Sequence, residues 1–109
     1  MILVHINTDS RAQALEIIDV LLENKLLFKP TLSRKQVFEK HPETGALKSK
    51  PTYLVIGKTK SLLFNSINQL LVKIYPYIDK MPRLYCLPIV YMAPENAEEL
   101  LEQSVQIKL

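Results

Sequence analysis

Between Tyr75 and Ile89 the chain carries three prolines, Pro76, Pro82 and Pro88, and they restrict its fold more than any other stretch. Proline lacks a backbone N–H, clashes with the preceding helical turn and pushes the residue before it out of the α region. A helix running into this region therefore ends at Tyr75. A loop follows to Pro82, and the run from Arg83 to Met92 is a strand. Pro88 cannot donate to a ladder on both sides, which makes that strand an edge.

The N-terminal run Met1 to Asn7 alternates Ile2, Val4 and Ile6 with Leu3, His5 and Asn7. Both sets begin apolar, as in a strand covered on both faces. Ser10 followed by Gln13 predicts a capped helix start, and Ala14, Ile17, Ile18, Leu21 and Leu22 repeat at helical spacing to about Asn24. Leu26 to Phe38 reads as a second edge strand because it contains Pro30. The turn His41-Pro42-Glu43-Thr44-Gly45 joins it to a third strand, with Gly45 free to adopt positive φ. That strand centres on Tyr53-Leu54-Val55-Ile56, an unbroken apolar run bounded by Pro51 and Gly57.

Thr59 or Ser61 is the expected cap of a second helix, whose apolar set is Leu63, Ile67, Leu70, Leu71 and Ile74. Pro94 opens a third helix, with Glu95, Glu98 and Glu99 near its positive end. The order is thus β-α-β-β-α-β plus a C-terminal helix. Right-handed connections, with the proline-bearing strands outside, give a sheet order of 4-1-3-2 in an α/β ferredoxin-like sandwich. At 109 residues the chain is one domain, 1–109. Two helices cover one face of such a sheet, so the apolar second face requires the third helix, a partner chain or both, and an oligomer is expected.

The net charge of +3 is unevenly spread: residues 25–60 hold nine of the 14 Lys and Arg but two of the 11 acids, a balance of +7 against −4 elsewhere. A solvated surface accounts for this. Lys48, Lys50 and Lys58 are the positions to watch for intersubunit or anion contacts. The apolar start is too short for a signal-peptide core or a membrane span, and a single cysteine agrees with a reducing compartment, so the expected location is cytoplasmic.

No catalytic residue emerges. There is no Gly-x-Ser-x-Gly elbow, and two glycines twelve residues apart exclude a glycine-rich phosphate loop. Metal ligands are sparse: His41, Glu43 and Cys86 are weak candidates for a divalent ion such as copper or zinc, with Asp9 and Glu39 as further oxygen donors, and no two soft ligands have a chelating spacing. No organic cofactor is indicated. An RNA-binding sheet would need several aromatic rings on its central strands, where Tyr53 stands alone beside Ile2, Val4, Leu54 and Ile56, so no nucleic acid is expected.

Tyr75-Pro76-Tyr77, Pro82 and Leu87-Pro88-Ile89, together with Gly45 and, thirteen residues on, Lys58-Thr59, resemble the signature of the CutA-type divalent-cation-tolerance family. The likeness runs from the first strand to the third helix. It implies a homotrimer in which the hairpin of strands two and three reaches a neighbouring subunit, and a role in the response to metal ions without evident catalysis. The departures are specific. Lys29 stands where the family has a cysteine, no tryptophan precedes Gly45, Thr52 replaces a glutamate, and residues around His41-Pro42-Glu43 and Asp79-Lys80 lengthen two loops. Without the family thiol, at most weak metal binding is implied. The alternative is a PII-like module that holds a small ligand or anion with the basic hairpin of the same trimeric scaffold.

Overall fold

The computed structural model describes residues 1–77 and 80–89. The third helix expected from Pro94 and the last residues of the fourth strand lie outside them. The elements are β1 (Ile2–Thr8), α1 (Arg11–Glu23), β2 (Phe28–Lys40), β3 (Leu47–Thr59), a 3-10 turn (Ser61–Leu63) continuing into α2 (Phe64–Ile74), and β4 (Arg83–Pro88). They form one antiparallel sheet in the order β2-β3-β1-β4, which is 4-1-3-2 read from the other edge. The ferredoxin-like architecture is as the sequence predicts.

The helices cover one face of this sheet. Ile2, Val4 and Ile6 of β1 and Val55 of β3 point into a core shared with Ala14, Ile17 and Leu21 of α1 and Ile67 and Leu71 of α2. In β1 burial alternates residue by residue, as the pleat requires. The other face carries Leu3, His5, Leu54 and Ile56 half-buried, with Tyr85 and Leu87 exposed. His5 and Tyr85 are paired across β1 and β4 and their rings stack at 4.9 Å.

Ser10 caps α1 by accepting from the Gln13 N–H. The return half of a capping box is missing, because the Gln13 amide reaches instead to the Lys80 carbonyl at 2.7 Å. At its other end the Leu26 and Lys25 N–H groups donate to the Leu21 and Leu22 carbonyls, with Lys25 at φ 57°. This is a Schellman turn with lysine in the position glycine usually takes.

The structure departs from two sequence expectations. β3 does not stop at Pro51 and Gly57 but runs through both; Pro51 lies opposite Gln36 and Gly57 opposite Val4. Gly57 is internal because Leu27 packs onto it: a Cβ there would collide with the Leu27 Cγ and both of its methyl carbons. Neither Thr59 nor Ser61 caps the second helix. The Thr59 hydroxyl donates to the Leu26 carbonyl, and Lys60 precedes the 3-10 turn without a side-chain cap. Lys60 is 2% exposed, and its Nζ has no hydrogen-bond partner among the described residues.

Beyond the sheet, β2 and β3 continue as a two-stranded arm, paired from Lys35↔Thr52 to Lys40↔Leu47. Its tip closes with Gly45 at φ 70°, and His41 Nδ1 accepts from the Glu43 and Thr44 N–H groups at 3.2 and 3.3 Å.

Candidate functional site

Antiparallel pairing of β1 with β4 sets Asn7 opposite Arg83, so the β1–α1 turn and the start of β4 meet at one end of the sheet. Pro76 stops α2 beside them and leaves Tyr75 over the second turn of α1. The result is a cleft of about 400 Å³ walled by Asn7 to Ser10, the first turns of α1, Tyr75, Lys80, Met81 and Arg83.

Its floor is tied down by hydroxyls. Thr8 Oγ1 donates to the Ser10 carbonyl at 2.8 Å and Thr52 Oγ1 to the Thr8 carbonyl at 2.9 Å. Arg83 Nη2 donates to Thr52 Oγ1 at 3.5 Å and faces Asp9 Oδ1 at 3.4 Å. Both partners of this ion pair are more than half exposed, and both contacts are long for a charge-assisted hydrogen bond. The pair therefore adds little stability. On the opposite wall Tyr75 Oη donates to Glu16 Oε1 at 2.5 Å. Partial burial raises the Tyr75 pKa, and the hydrogen bond to Glu16 and its negative charge push it further up.

The lining contains neither histidine nor cysteine, and its one small hydroxyl group at a turn, Ser10, is occupied as a helix cap. It is furnished for recognition: two carboxylates, Asp9 and Glu16, face two cations, Lys80 and Arg83, around an apolar wall of Ala12, Met81 and the Tyr75 ring.

The residues singled out from the sequence lie elsewhere, with the exception of Asp9. His41 and Glu43 sit at the tip of the arm, where His41 Nδ1 is already an acceptor, while Cys86 pairs with Val4 in the body of the sheet. Lys48 and Lys50 face Glu39 and Val37 along the arm, and Lys58 stands across from Leu3 and Phe28. Among the described residues no three His, Cys, Asp or Glu side chains come together as a metal site. Sequence reading missed the cleft because its parts come from residues 7–16, 75 and 80–83. The available signal was a charged residue at each junction: Asp9 directly after a central strand, and Arg83 directly after Pro82.

No protein-family model and no curated protein matches the sequence. Solved structures do. CutA1 from Pyrococcus horikoshii superposes with a TM-score of 0.76 at 18% identity, covering 97% of this chain and 100% of that one. The chain has the CutA1 fold. The periplasmic divalent cation tolerance protein CutA from Archaeoglobus fulgidus gives 0.74 at 22% identity over 94% and 98% of the two chains. The divalent cation tolerance protein Cut A1 from Thermus thermophilus gives 0.73 at 22% identity over 96% and 100%. The CutA-type resemblance read from the proline motif is thus matched in three dimensions over 94–97% of the chain.

Proposed function

We propose that this chain is a CutA-like protein of divalent-cation tolerance, acting as a cytoplasmic homotrimer without catalytic activity. The observation that carries this reading is the likeness to CutA1 structures over nearly the whole length of both chains. The arm supports the trimer, because an isolated two-stranded ribbon is marginal in water and gains stability by packing on another surface. The apolar second sheet face supports it too, since burying it against a copy of itself would remove Leu54, Ile56, Tyr85 and Leu87 from water. The arm's lysines, Lys48 and Lys50 among them, would then meet the acidic remainder of a neighbour. No helix among the described residues is long and apolar enough to cross a membrane.

Metal binding in this reading is weak, because Lys29 occupies the position of the family's cysteine and His41 is committed to its own turn. Light scattering at micromolar concentration and calorimetry with copper and zinc test both parts. The expected result is a trimer with metal affinity no tighter than about micromolar. A monomer would overturn the assembly, and nanomolar copper binding lost in His41→Ala or Cys86→Ser would overturn the metal reading. An unchanged trimer in Lys48→Glu/Lys50→Glu that no longer binds phosphate would favour the PII-like anion module.

A further inference from the structure

From the cleft beside α1 we infer a binding site for a small zwitterion, an α-amino acid with an aromatic or long apolar side chain. The inference rests on the cleft alone and not on the cation-tolerance reading. A cavity of about 400 Å³ falls in the range of small-molecule sites, which combine apolar walls with a few convergent polar groups. The charge balance of its lining selects the ligand. Asp9 and Glu16 oppose a simple anion, Lys80 and Arg83 oppose a simple cation, and a molecule carrying both charges satisfies both sets.

The hydrogen bonds leave the required atoms open. Arg83 uses Nη2 alone, in long contacts of 3.4 and 3.5 Å to Asp9 and Thr52, so Nη1 is open, and once those contacts part Nη1 and Nη2 together form the end-on edge that binds a carboxylate bidentately. Asp9 engages Oδ1 and Glu16 engages Oε1. Their second oxygens can accept from an ammonium. The 3.4 Å Asp9–Arg83 contact is loose enough to part around a ligand with little loss. Ala12, Met81 and the Tyr75 ring would then receive the side chain. Tyr75 is held in place for this by its hydrogen bond to Glu16.

Calorimetry on the intact chain with phenylalanine, phenethylamine and 3-phenylpropionate separates the possibilities, since the last two each lack one charge. Phenylalanine should bind at about millimolar affinity or better, with both truncated compounds at least about tenfold weaker. Arg83→Gln should abolish the advantage of phenylalanine over phenethylamine, and Glu16→Gln should narrow its advantage over 3-phenylpropionate. Both positions are solvent-accessible, and an unchanged unfolding temperature would confirm that the fold persists. Equal binding of 3-phenylpropionate would make the cleft an anion site, and equal binding of phenethylamine a cation site. Either result overturns the proposal, as does a lack of saturation by phenylalanine at about 10 mM. Trimer formation and copper affinity test the preceding reading separately.

Discussion

One strand, β3, runs from the core of this protein into its most exposed part. From Thr52 onward every residue of β3 is buried or half-buried, and Val55 has no exposure at all. Before Thr52 every residue of β3 is exposed, as is every residue of β2 from Arg34 to Lys40, although the ladder continues without a break. In the body β3 is paired on both sides, with β2 and β1, and in the arm with β2 alone, but a backbone hydrogen bond gives only a modest net gain over water. What separates the halves is apolar burial. In the arm, Phe38 and Leu47 lie on one face and remain 62% and 67% exposed, a cost that contact with another molecule would remove.

The largest expected effect tests this division directly. Ile17 is fully buried between α1 and the sheet, so Ile17→Ala should cost about 2–5 kcal/mol, measured by urea denaturation, and the loss should not depend on protein concentration. Phe38→Ser combined with Leu47→Ser should leave the intrinsic stability within about 0.5 kcal/mol. Its effect should appear instead as dissociation on dilution, seen by light scattering. A loss in the double variant as large and as concentration-independent as that of Ile17→Ala would erase the distinction between arm and body.

A smaller effect sharpens the same boundary from the inside. Gly57→Ala places a methyl group within 2.8 Å of three Leu27 carbons and should cost about 1–3 kcal/mol through overpacking. Leu27→Ala alone leaves a cavity, while the double variant should lose less than the sum of the two, because the new methyl fills part of that space. Simple additivity in thermal unfolding would show that Leu27 and Gly57 do not share one packing site.

Gly57 also shows where the sequence was legible. Strand order, the arm's turn and α1 with its Ser10 cap were readable because proline, apolar alternation and capping residues act locally. Gly57 read as a strand end because a glycine kept for a neighbour's side chain is indistinguishable, in one dimension, from a glycine kept for a turn. The helix after Thr59 misled for a related reason, since the Thr59 hydroxyl has its partner at Leu26, 33 residues away. The cleft was almost illegible: Gln13 joins Lys80 and Tyr75 joins Glu16 across separations of 67 and 59 residues, which no spacing rule connects.

The smallest effect concerns the body's own exposed end, where burial and hydrogen bonding act together on Tyr75. Removal of its hydroxyl in Tyr75→Phe should cost about 1 kcal/mol at neutral pH. The sign of the pH dependence follows from the raised pKa of Tyr75, displaced upward from 10.0 by burial first and by Glu16 second. Below pH 10 the phenol is protonated in folded and unfolded chains alike, and its stabilisation is fully present. As pH rises beyond 10 the unfolded chain releases the proton while the folded one retains it, so stability falls. The other four tyrosines are common to both proteins and cancel in the difference between wild type and Tyr75→Phe. That difference, followed by denaturant unfolding from neutral to alkaline pH, should shrink above pH 10. A flat difference would mean that the Tyr75–Glu16 contact does not hold the proton, and the cleft wall would then be no more ordered than the arm.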